Sequence, residues 1–63
     1  MLGKRIRQLR NARGMTQAQL AATANVTQAY VAYLEAGGRK NPSLDVLRRL
    51  AKSLKTDMND LIG

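Results

Sequence analysis

The stretch "MTQAQLAATANVTQAYVAYLEAG", residues 15–37, carries the same short opening twice. Thr16-Gln17-Ala18 and Thr27-Gln28-Ala29 set two threonines eleven positions apart. Each threonine suits a helix N-cap, because its hydroxyl can accept from a backbone N–H of the first turn. Gln19 stands three residues after Thr16, which is the capping-box spacing. Leu20, Ala21 and Ala24 then fall on one buried stripe. Asn25 ends this segment, since asparagine is second to glycine in tolerating positive φ. Thr27 caps the next helix, whose inward residues are Val31 and Leu34, with Val26 ahead of them, and Gly37-Gly38 closes it. The stretch therefore predicts two helices of about eight residues joined by about three, and neither is stable alone at that length. They need close mutual packing, with the small Ala21 where the second helix crosses the first.

The rest of the chain reads in the same way. Leu2, Ile6 and Leu9 fall at helical spacing, which predicts a first helix from about Leu2 to Ala12, ended by Arg13-Gly14. After the basic stretch "GGRKNPS", Ser43 is the expected cap of a fourth helix, with Asp45 in its favourable first turn. Its apolar stripe is Leu44, Leu47, Leu50, Ala51 and Leu54. Asp57 is the expected cap of a short last helix whose Met58, Leu61 and Ile62 belong mostly to the core, with a dimer contact as the other use for one or two of them. No alternating pattern lasts long enough for a strand. The expected fold is all-α, a compact bundle of five short helices.

Sixty-three residues predict a single domain over positions 1–63. With no cysteine and no histidine, neither a disulfide nor the usual zinc site is available. The core must be apolar packing. Eleven Lys and Arg against four acidic residues leave a net charge of +7, a strong positive field on a small surface. Nucleic acid, an anionic membrane or an acidic protein are the candidate partners. No apolar run approaches the ~18 residues of a membrane span. The charged start "MLGKRIRQLR" has no apolar segment behind it and does not read as a signal peptide. A soluble, cytoplasmic protein without a membrane partner is the expectation. Glu35, Asp45, Asp57 and Asp60 are the only carboxylates, and no Gly-rich phosphate loop follows a strand, so no enzyme, cofactor or metal site is expected.

Two short helices in tandem, tightly joined, are the helix-turn-helix arrangement, in which the second helix is presented outward to a DNA major groove. Gln17 and Gln28 each open a helix, where backbone N–H groups attract phosphate. Glutamine also offers a bidentate match to adenine. Nearly the whole chain resembles the phage-repressor-like, or Xre-like, helix-turn-helix family, with a lambda-repressor-like fold. Residues 2–21, "LGKRIRQLRNARGMTQAQLA", look like that family's first two helices. "VTQAYVAYLEAG", residues 26–37, is similar to its recognition helix, and "NPSLDVLRRLAKSL", residues 41–54, to its fourth helix.

The resemblance implies sequence-specific double-stranded DNA binding by a transcriptional regulator, usually a homodimer on a roughly palindromic operator, with the recognition helix at about 28–36. By position, Thr27, Gln28, Ala29 and Tyr33 would face bases, with Ala32 nearby. Gln17 would touch the DNA backbone, and Tyr30, Arg39 and Lys40 would lie toward phosphates. Arg10 and Glu35 would form an ion pair from helix 1 to the end of helix 3. The length leaves no room for a small-molecule effector pocket.

Three positions depart from the family pattern. Asn25 stands where glycine is usual. Lys55 stands where many members end helix 4 with glycine, and a left-handed lysine costs about 1 kcal/mol, so another kind of ending is expected there. The segment from Glu35 to Pro42 is one residue longer than the commonest pattern. Two alternatives stay open: an antitoxin-type module that binds a toxin protein and its own promoter, and a restriction-modification controller. An RNA-binding module is disfavoured, because RNA readers lean on stacking aromatics and only Tyr30 and Tyr33 are present.

Overall fold

The computed structural model describes residues 2–38 and 42–62. It is an all-α bundle: α1 Leu2–Ala12, α2 Gln17–Ala24, α3 Gln28–Glu35, α4 Leu44–Ser53 and α5 Met58–Ile62, with no strand among the described residues. The starts of α2, α3 and α4 follow from side-chain capping, whereas the expected Asp57 cap is not found: its side chain makes no such bond among the described residues at the start of α5. Thr16, Thr27 and Ser43 accept from the backbone N–H of Gln19, Tyr30 and Val46. The Gln19 amide oxygen also accepts from the Thr16 N–H at 2.8 Å, which completes a capping box.

Four helices stop by one device. Gly14, Asn25, Gly37 and Lys55 take the left-handed conformation, with φ of 65°, 57°, 89° and 54°. The residue after each donates back across the last turn: Met15 to the Arg10 carbonyl, Val26 to Ala21, Gly38 to Tyr33 and Thr56 to Ala51, at 2.9–3.0 Å. This is the Schellman motif. The different ending expected for helix 4 is not found. Lys55 adopts the conformation glycine would take there, and Arg13 Nη2 donates to its carbonyl at 3.1 Å, so a tertiary contact helps hold a residue that dislikes the position.

The core is Ile6, Leu20, Ala21, Ala24, Val31, Leu34, Leu50, Ala51, Leu54 and Leu61. Leu2, Leu9, Met15, Val26, Tyr30, Val46 and Met58 pack against it half-buried. Two core expectations are corrected. Leu44, at the first position of α4, is 61% exposed, because that end of the helix projects past the bundle and its stripe is fully covered only from Leu50 on. Ile62 is 57% exposed, on the side of α5 away from the buried Leu61.

Gly3 sets the distance between α1 and α3. It is buried, and a methyl group built on it would overlap the carbonyl oxygen of Leu34. The two backbones meet there with no side chain between them. That close approach brings the inner face of α1 against the last turn of α3.

Candidate nucleic-acid interface

The turn between α2 and α3 is held by Asn25, whose φ of 57° and ψ of 47° reverse the chain. Thr27 restarts a helix at once. Val31 and Leu34 turn inward, and α3 is thereby fixed by its back. Its other side is left to solvent: Thr27, Gln28, Ala29 and Tyr33 are exposed, while Ala32 is half-buried. These five residues therefore lie together on the outer side of one short helix and its cap. Tyr30 lies half-buried against the core, so its ring contributes packing. Gly38 comes so close to the Tyr33 ring that a methyl group built there would collide with it. The ring consequently lies over the backbone that closes α3.

The end of α3 is tied down by charge. The Glu35 side chain is 1% exposed, and that of Arg10 is 12% exposed. Arg10 donates to both carboxylate oxygens, Nε to Oε2 at 2.7 Å and Nη2 to Oε1 at 2.9 Å. Its Nη1 donates to the Met15 carbonyl at 2.8 Å, which ties the turn before α2 into the same network. A forked, charge-assisted pair of this kind is the strong form of the interaction. Arg10 holds the Glu35 carboxyl below its ordinary pKa; burial alone would raise it, and bonds from Gln17 and Arg7 help to lower it. The bond to Glu35 raises Arg10 in turn, against the cost of desolvation.

Gln17 opens α2, but its side chain is already engaged. Its Nε2 donates to Glu35 Oε1 at 3.2 Å. The carboxylate at the end of α3 thus also holds the residue that starts α2. Arg7 reaches the same oxygen at 3.4 Å through Nε. Neither Gln17–Glu35 nor Arg7–Glu35 was foreseen from the sequence. Arg7 stands three residues before Arg10 on one face of α1, and that spacing was the available signal. The Gln17 contact spans 18 positions and had no local signal. Arg39 and Lys40, expected near phosphates, lie outside the described residues. The remaining nine site residues are all placed: Gln17 and Arg10 converge on the Glu35 carboxylate, while the outward residues of α3 form a separate surface.

Among the described residues no cluster could hold a metal ion. No helix among them is long and apolar enough to cross a membrane. The model of the helix-turn-helix family matches residues 6–61. The chain belongs to that family. It is similar to the immunity repressor protein of Bacillus phage phi105, with 39% identity over 62 residues, 98% of this chain and 42% of that protein. The chain spans less than two thirds of the length of the curated relatives it matches. Among solved structures, this helix-turn-helix chain superposes on SinR, the master regulator for biofilm formation, crystallised in complex with DNA. The TM-score is 0.94 at 30% identity, with all of both chains covered. It also matches the restriction-modification controller protein C.AhdI from Aeromonas hydrophila, with a TM-score of 0.88 and 35% identity over 95% of this chain and 89% of that one.

Proposed function

We propose that this helix-turn-helix chain binds double-stranded DNA in a sequence-specific way as a transcriptional regulator. The observation that carries the reading is the division of α3. Val31, Leu34 and Glu35 lock its back, while Thr27, Gln28, Ala29 and Tyr33 stand in solvent. A helix fixed from behind, with hydrogen-bonding and apolar groups on its exposed side, suits major-groove readout. The net charge of +7 supplies the sequence-independent attraction to phosphate. The likeness to SinR, solved on DNA, supports the same reading.

In this reading Gln28 contacts adenine through its amide, with Thr27, Ala29, Ala32 and Tyr33 beside it. Gln17, Tyr30, Arg39 and Lys40 serve the phosphates. The chain acts as a homodimer on a roughly palindromic operator by occupying the site, without catalysis, cofactor or effector, in the cytoplasm where the DNA is. The likeness to C.AhdI favours one variant, in which the controlled genes are those of a restriction-modification system. Selection of bound duplexes from a random DNA pool, followed by footprinting, tests the proposal. The expected product is a two-fold site whose half-sites lie one helical turn apart, roughly 34–36 Å. Recovery of no preferred sequence would refute specific recognition, and a single asymmetric half-site at saturation would refute the dimer.

A further inference from the structure

Glu35 is over-supplied with cations. Arg10 already satisfies both of its oxygens, at 2.7 and 2.9 Å, and Gln17 adds a third donor at 3.2 Å. Arg7 contributes only its Nε, at 3.4 Å, and its side chain is 60% exposed. The two guanidinium groups and one carboxylate leave a surplus positive charge, and that surplus belongs to Arg7. Its terminal nitrogens, Nη1 and Nη2, have no partner among the described residues. One edge of the guanidinium is therefore steadied by Glu35, and the fork that suits a tetrahedral oxyanion faces outward. Gln17 and Arg7 both lie within 3.4 Å of the single atom Glu35 Oε1, so any strand that meets Gln17 passes beside Arg7.

We infer that Arg7 is a phosphate-contacting residue, steadied by Glu35 next to Gln17. The inference rests on the DNA-binding reading above. It gives Glu35 a second use as a positioning residue, because one carboxylate fixes the recognition helix and aims two side chains at the backbone of the same strand. Arg5 provides the control. It lies two residues away, on the opposite flank of α1, where its Nε donates to the Asp60 carbonyl at 2.8 Å.

The experiment compares the wild-type chain with Arg7→Gln, Arg7→Lys and Arg5→Gln. Affinity is followed against salt on a duplex selected from a random pool and on its scrambled counterpart, and each variant's melting temperature is measured. Loss of one phosphate contact removes about 0.9 from the slope of log K against log salt per bound chain, roughly a fivefold loss at 0.15 M. Arg7→Gln is expected to show that change on both duplexes. Arg7→Lys keeps the charge and should keep the slope. Arg5→Gln should leave the slope at the wild-type value. A wild-type slope in Arg7→Gln would overturn the inference, even with a lowered melting temperature, and so would an equal reduction in Arg5→Gln. Absence of salt-dependent DNA binding by the wild-type chain would overturn the DNA-binding reading itself.

Discussion

Replacing Arg10 by methionine removes the main partner of a carboxylate that is 1% exposed. Removing one member of a buried pair costs about 3–5 kcal/mol, because the other charge is left without compensation. Here Arg7 at 3.4 Å and Gln17 at 3.2 Å remain on Glu35, so the lower end, about 3 kcal/mol, is the expected cost. Glu35→Leu strands Arg10, which cannot lose its proton, and about 3 kcal/mol is expected again. A 63-residue chain has only about 3–9 kcal/mol in all, so either single variant stands near the edge of folding. In the double variant no buried charge is stranded. Its cost should fall short of the sum by about 2 kcal/mol or more. Thermal and urea unfolding measure all three, and a domain of this size moves by about 4–8 °C per kcal/mol. Additive shifts, within about 0.5 kcal/mol, would refute the claim that the pair is buried and coupled.

The same network predicts the response to acid. The folded-state pKa of Glu35 lies below its unfolded value, chiefly through Arg10. Its contribution is therefore fully present above the unfolded pKa and is lost as pH falls through the folded one. Wild-type stability should drop below the ordinary carboxylate range, and Glu35→Gln should show a shallower fall over that window. Equal acid slopes in the two proteins would show that Glu35 is not the group responsible.

Gln28→Ala is expected to cost about 1–3 kcal/mol on the selected operator and to relax one base position per half-site, as read by binding to singly substituted duplexes. An equal loss on scrambled DNA would make Gln28 a backbone contact. Gly3→Ala should destabilise by about 1–3 kcal/mol in urea, because its methyl group has to displace the Leu34 carbonyl. Lys55→Gly should raise the melting temperature by several degrees, since relief of a left-handed lysine is worth about 1 kcal/mol and the cap hydrogen bonds are all backbone.

Three helix starts were readable because a cap is a local event. Thr16, Thr27 and Ser43 each bond to an N–H three residues on, within the window that sequence spacing covers. Asn25 was readable as a stop for the same reason. Lys55 was not, since its conformation depends on a Schellman closure and on Arg13, 42 positions away. Periodicity also told which face of α4 turns inward, but a stripe carries no information about where the covering element ends. Leu44 was therefore assigned to a core that does not reach it. Gly3 passed unnoticed because a glycine inside a good helical pattern signals nothing until the partner backbone is known.

The repeated opening shows the same divide at the site. Thr16-Gln17 and Thr27-Gln28 are equivalent by sequence, and both threonines cap their helices in the same manner. The glutamines then part. Gln17 meets a carboxylate presented from the far end of α3, and its amide is tethered there. Gln28 follows the turn on the exposed side of α3, and it stays in solvent. The difference arises from the crossing of α2 and α3, which places the end of one helix beside the start of the other while leaving the second start free. In the DNA-binding reading, the tethered, half-buried glutamine is held for a backbone contact, and the exposed one becomes a reader of bases. Two identical local signals can hold different roles because the angle between their helices, which neither signal encodes, decides what each amide can reach.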